Sequence, residues 1–187
     1  MLPTAPRCTA LFVSCLALLV ASGCRSIATG PAPTAVASAS MHTAAGADAG
    51  TVELLTAAGG LTLRFHLRGM APGEHGVHFH TVGACDGSTS TPFASAGAHL
   101  NPTSAKHGLM NPEGPHDGDL PNLTVSADGT AETSVVTNRV GTGGGIAALF
   151  DADGTAIVVH ASSDDQRTDP SGNSGARVAC GVVTRRG

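Results

Sequence analysis

The sequence predicts an all-β domain, a sandwich or barrel, on three observations. Apolar and polar residues alternate through Leu61-Thr62-Leu63-Arg64-Phe65-His66-Leu67-Arg68, so 61, 63, 65 and 67 share one face and the polar set the other. Short runs of this kind recur between Gly-rich turns, and no useful window carries a helical period. Apolar residues make up 41% of 187 positions with no Trp, no Tyr and five Phe, so the core must be chiefly aliphatic.

The chain divides into three segments. Residues 1–23 read as a targeting signal of the lipoprotein type: Arg7 gives a small basic start, and Thr9 to Val20 is apolar but shorter than the roughly 20 residues that span a bilayer. Val20-Ala21-Ser22-Gly23-Cys24 resembles a bacterial lipoprotein cleavage box, which makes Cys24 the expected lipidation site. The plainer alternative is ordinary signal cleavage, with Cys24 incidental. Either way the product is exported, and a lipid on Cys24 would anchor it on the outer face of the cytoplasmic membrane or cell envelope. Residues 24–36, rich in Ala, Thr, Pro and Ser, read as a flexible tether, and 37–187 as the folded domain. The net charge is -4 and the basic residues are scattered, with no basic patch that would suggest nucleic acid as a partner.

Within the domain, Val52 to Thr56 and Leu61 to Arg68 flank a Gly59-Gly60 turn. After the turn signal Met70-Ala71-Pro72-Gly73, Glu74 to Val82 reads as one strand, with Val77 and Phe79 on one face and His78 and His80 on the other. Leu123 to Ala127 and Thr130 to Thr137 flank Asp128-Gly129; Ala156 to His160 follows Asp153-Gly154; Arg177 to Thr184 closes the domain. Two long insertions, at about 81–120 and 161–176, interrupt these strands, and insertions of that length in a compact domain are usually functional.

Cysteine usage follows the same division. Cys8 and Cys15 lie in the signal and Cys24 at its end, which leaves Cys85 and Cys180. One pair in an exported chain reads as a disulfide closing a loop of nearly 100 residues, worth about 4 to 5 kcal/mol in the chain-entropy model.

The chemistry concentrates between Gly97 and Asp119, a Gly-, Pro- and Asn-rich segment without apolar periodicity that burial alone would not order. It holds His99, His107, His116 and Asp119. Three imidazoles and a carboxylate suit tetrahedral zinc, whose binding could order the loop; the bland alternative is a solvated loop that happens to contain His. His78 and His80, two apart on a strand, form a plausible pincer for one ion, although strand faces carry such pairs by chance. His160 ends the apolar run Ile157-Val158-Val159 and by itself reads as a hydrogen-bonded core histidine, while His66 falls on an outer strand face.

Taken together these blocks resemble the copper/zinc superoxide dismutase family over roughly residues 37 to 185. Gly73-Glu74-His75-Gly76-Val77-His78-Phe79-His80 is similar to its copper-binding strand. Gly97-Ala98-His99-Leu100-Asn101-Pro102, Lys106-His107-Gly108 and His116-Asp117-Gly118-Asp119-Leu120 are similar to its zinc loop. Val158-Val159-His160 with Asp164-Asp165, and Gly172-Asn173-Ser174-Gly175-Ala176-Arg177-Val178-Ala179-Cys180-Gly181-Val182, match its two C-terminal signatures.

The resemblance implies a Greek-key β-sandwich, a flattened eight-stranded antiparallel barrel with two long functional loops. It implies copper on His78, His80, His99 and His160 and zinc on His99, His107, His116 and Asp119, so that His99 serves both ions. It also implies that Asp164 links His78 to His107, that His75 supports the site from behind, that Arg177 attracts an anion, and that Cys85 and Cys180 are bonded. The implied activity is dismutation of superoxide to O2 and hydrogen peroxide by a copper ion that is alternately reduced and oxidised, in a monomer or homodimer. Asp164, Asp165 and Asp169 against the single Arg167 leave little steering charge in 161–176, so attraction of the anion is expected to rest on Arg177. A copper-buffering lipoprotein and an adhesin-like sandwich with dispensable histidines are the competing classes.

Overall fold

The computed structural model describes residues 33–57, 59–142 and 149–186; the signal, Cys24 and most of the tether lie outside the described residues. Ten strands follow in order: β1 Ala35–Thr43, β2 Asp48–Ala57, β3 Gly60–Leu67, β4 Gly73–His75, β5 Val77–His80, β6 Leu123–Val125, β7 Ala131–Thr137, β8 Ala156–His160, β9 Arg177–Val182 and β10 Thr184–Arg185. One 3-10 turn, Ala94–Ala96, is the only helical element among the described residues, and none is long and apolar enough to cross a membrane.

Eight strands form one antiparallel sheet in the order β5-β8-β9-β1-β2-β3-β7, with β10 also on β1, and β4 and β6 form a separate pair. The alternation in β3 sets its register: Leu61, Leu63, Phe65 and Leu67 are buried, and Leu63 stands opposite Leu54 on β2 and Val135 on β7. A single apolar cluster takes side chains from β1, β2, β3, β5, β6, β7, β8 and β9, so the strands enclose one core. His66 pairs outward with Glu132, as its outer-face position requires.

The expected strand from Glu74 to Val82 is instead two. Gly76 leaves the ladder to donate to Ser162 O at 2.8 Å and to accept from His160 N at 2.8 Å, so β4 pairs with β6 and β5 with β8. β1 also starts at Ala35, inside the segment assigned to the tether, because its backbone pairs with β2 from that residue.

The strands that matter for the site are buried on both faces. All five residues of β8 and all four of β5 are buried. Ile157, Val159, Val77 and Phe79 face the main core, while Ala156 and Val158 face a second cluster with Phe93, Ala96 and Cys180 from the first insertion and β9. The insertion therefore roofs the sheet. Cys85 and Cys180 are bonded, with Cα atoms 5.6 Å apart, which ties it to β9.

Candidate metal centre

The segment from Gly97 to Asp119 is laid along β5 by main-chain bonds. Leu100 N donates to Phe79 O at 2.8 Å, Phe79 N to Gly118 O at 2.9 Å, and Thr81 N to Ala98 O at 3.0 Å. These bonds set His99 opposite His80 and Asp119 opposite His78. Strand alternation turns His78 and His80 toward this loop, and His160 arrives from the end of β8. Six imidazoles and a carboxylate thus meet at one place.

The ligand atoms of His78, His80, His99 and His160 lie within 4.8 Å of one another, as do those of His78, His99, His107 and Asp119. His116 stands at the edge of the second group, Nδ1 3.4 Å from Asp119 Oδ1, with its ring centre 5.2 Å from that of His107 and 5.6 Å from that of His99. The ring of His99 lies between the two groups, 3.9 Å from His78 and 4.9 Å from His80 on one side and 5.2 Å from His107 on the other. Its Nδ1 is 3.3 Å from Asp119 Oδ1, which leaves Nε2 for the other group.

The residues fit metal ions. Five buried ring nitrogens have no hydrogen-bond partner: His78 Nδ1, His80 Nε2, His107 Nδ1, His116 Nδ1 and His160 Nε2. Buried polar atoms are normally paired, and an orphan lone pair is what a ligand nitrogen presents before its ion is bound. The opposite nitrogen is engaged in four of the five. His80 Nδ1 donates to Gly97 O at 3.0 Å, His160 Nδ1 to Gly175 O at 3.2 Å, His78 Nε2 to Asp164 Oδ2 at 2.7 Å, and His107 Nε2 to the same oxygen at 3.0 Å. Each such bond selects the tautomer whose lone pair faces inward.

Electrostatics agrees. Burial lowers the pKa of His78, His80, His99 and His160, to about 4 for His99 and about 3 for His160, and keeps these imidazoles neutral at pH 7. Burial would push Asp119 up, but the imidazoles of His107, His116 and His99 close against it and the Gly108 amide hold it far below the usual carboxylate range. For His107 burial works downward and is outweighed by Asp119 and Asp164, which raise it to about 9. Asp119 Oδ2 accepts from Gly108 N at 2.8 Å and His116 N at 2.9 Å, so Oδ1 is the oxygen turned to the histidines. An N3O set of His99, His107, His116 and Asp119 suits zinc, and four imidazoles suit Cu(II).

Arg177, the first residue of β9, crosses to the roofing insertion, where NH1 donates to Phe93 O and NH2 to Gly97 O at 2.6 Å. With His99, His160, Pro170 and Ser171 it lines a cavity of about 330 Å³ and carries the only fixed charge on that wall among the described residues. A larger cavity of about 600 Å³, also lined by Pro170, reaches His99 and His116, but Lys106, Asp151 and Asp169 give it mixed charge. The smaller opening is the one suited to an anion. His75 lies behind the site, its ring nitrogens 2.7 Å from His160 O and 2.8 Å from Ala71 O.

Several supporting residues escape sequence reading. Gln166 accepts from Leu109 N and donates to Leu120 O, both at 3.2 Å, and its carbonyl accepts from Met110 N at 3.0 Å. Asn122 holds the main chain of Asp164 by two bonds of 2.8 and 2.9 Å, and Arg139 donates to Asp119 O. Asp165 and Asp169, weighed in the sequence only as charges set against Arg167, also brace the loop: Asp165 accepts from Arg167 N, Thr168 N and Asn173 Nδ2, and Asp169 from His107 N at 2.8 Å.

Fold and site define an all-β metalloprotein with two adjoining histidine cages. The copper/zinc superoxide dismutase (SODC) family profile matches residues 48–183. The chain is 47% identical to "Superoxide dismutase [Cu-Zn]" of Caulobacter vibrioides over 142 residues, covering 74% of this chain and 79% of that one. It is 40% identical to "Superoxide dismutase [Cu-Zn] 2" of Aquifex aeolicus over 136 residues, with 72% and 78% covered. Among solved structures, a superoxide dismutase-like protein from Bacillus subtilis superposes with TM-score 0.73 at 34% identity, covering 78% of this chain and 96% of that one. The Cu/Zn superoxide dismutase of Brucella abortus gives 0.62 at 32%, covering 78% and 97%. The chain belongs to the copper/zinc superoxide dismutase family.

Proposed function

We propose that this chain dismutates superoxide, with copper held by His78, His80, His99 and His160 and zinc by His99, His107, His116 and Asp119. The observation that carries the reading is the set of five partnerless buried ring nitrogens facing two adjoining ligand groups, which have His78 and His99 in common and His116 at the edge of the second. Family membership supports the activity, but one related structure is called only superoxide dismutase-like, so the ligand set has to bear the weight.

Bound copper supplies the one-electron cycle by which two superoxide ions and two protons become O2 and hydrogen peroxide. The chain supplies the rest. Arg177 offers a fixed positive charge at a cavity that reaches both His99 and His160, and charge focusing of this kind raises anion arrival roughly 10 to 1000-fold. Gly97 O, Gly175 O and Asp164 hold the ring orientations of His80, His160 and His78. His99, with Nδ1 turned to Asp119, keeps Nε2 as its proton site on the side of His78, His80 and His160.

Export and anchoring belong to the same proposal. The Cys85–Cys180 bond supports an oxidising compartment, Cys24 would carry the lipid, and the functional unit is a monomer or homodimer. Mass spectrometry of the native N-terminus tests the anchor.

The function is tested by metal analysis with a superoxide assay on the purified protein. One copper and one zinc per chain with turnover is the expected result, and Arg177→Ala should slow turnover and flatten its salt dependence while metal content holds. Tight copper binding without turnover would instead establish a copper-buffering protein.

A further inference from the structure

Phe93 combines three features that conflict unless its main chain has a task. It is fully buried, packed with Ala96, Val158 and Cys180 and edge-on to His42 with ring centres 5.8 Å apart. Its backbone is left-handed, φ 62 and ψ 16, a conformation rare for a bulky side chain. Its carbonyl accepts both Ala96 N at 3.1 Å and the guanidinium of Arg177. An ordinary backbone conformation at this residue would aim that carbonyl elsewhere. The other anchor of the guanidinium, Gly97 O, also holds His80 Nδ1, so the two carbonyls tie the cation to a histidine of the first cage. Left-handed residues other than Gly persist only where their surroundings over-determine them, and they cluster at functional sites.

We infer that Phe93 is a positioning residue for the anion site: its buried ring locks residue 93 in the left-handed conformation, and that conformation directs its carbonyl at Arg177 and holds the guanidinium over the cavity. The inference rests on the reading of Arg177 as the anion guide. Two roles follow for one residue, the ring anchoring the loop and the main chain aiming the charge.

The test uses matched substitutions in the copper- and zinc-loaded protein, read as azide affinity from the visible spectrum. Phe93→Leu and Phe93→Ile remove the same ring and leave side chains of equal size, but β-branching makes the left-handed conformation far worse for Ile. Phe93→Gly and Phe93→Ala form a second pair, in which only Gly takes that conformation freely. Arg177→Ala calibrates the readout; removing a charge-assisted hydrogen bond should weaken azide about tenfold or more. The expected result is that Leu binds azide at least about threefold tighter than Ile, and Gly tighter than Ala, at equal metal content. If either β-branched or small-residue partner fails to load metals, the remaining pair decides. Equal affinities within the pairs, with Arg177→Ala weakened, overturn the role of Phe93 alone. An Arg177→Ala protein with unchanged azide affinity overturns the anion-guide reading beneath it.

Discussion

A few side chains at the site do double duty, and their protonation makes the metal-free protein sensitive to pH. His99 and His160 have folded pKa values of about 4 and about 3, below the roughly 6.5 of an unfolded histidine. The unfolded chain therefore takes protons first on acidification. The stability these groups contribute is fully present above about 6.5 and is lost as pH falls toward their folded values. His107, raised to about 9, runs the other way: its contribution is present below about 6.5 and lost as pH rises through about 9. Thermal melts of the metal-free protein across pH should accordingly peak near neutrality. A midpoint that climbs steadily on acidification would contradict the burial of neutral imidazoles. Asp164 offers a second check, since its Oδ2 serves His78 and His107 together. Asp164→Asn cannot accept from both rings as a carboxylate does, and metal affinity should drop about 10 to 100-fold, measured by chelator competition.

At the level of elements, much was legible and the remainder has a physical reason. Period-two alternation identified β3, the Asp128-Gly129 signal placed β7, and Ala156–His160 was bounded as found. The break between β4 and β5 was not legible, because it depends on Gly76 bonding to Ser162 and His160, residues more than eighty positions away. Gln166, Asn122 and Arg139 were invisible for a related reason: each bonds to main-chain atoms of a distant loop, and no residue pattern announces that task. The histidines were legible because few residue types can hold a transition metal. The two insertions are pressed together so closely that a single methyl group should part them. Gly172 has φ 61, and a Cβ there would lie 1.8 Å from Asp164 Oδ1 and 2.7 Å from His107 Nε2. Gly172→Ala should therefore lower zinc retention on dialysis and reduce the melting temperature by several degrees, whereas retention equal to the unsubstituted protein would mean the loops pack more loosely than described.

In the whole molecule, a rigid sheet carries two loops that the sheet alone would not order. β5, β8 and β9 present His78, His80, His160 and Arg177, the Cys85–Cys180 bond and Phe93 fasten the first insertion over them, and Gln166 and Asp169 lock the second insertion to the first. All of this converges on His99, whose ring lies between the two cages. The most direct measurement is electron paramagnetic resonance of the protein with Cu(II) in the first cage and Co(II) in the second. A shared imidazole couples the two spins, so the copper signal of the copper-only protein should vanish when cobalt is added. A copper spectrum that cobalt leaves unchanged, with both ions bound, would show that His99 does not join them.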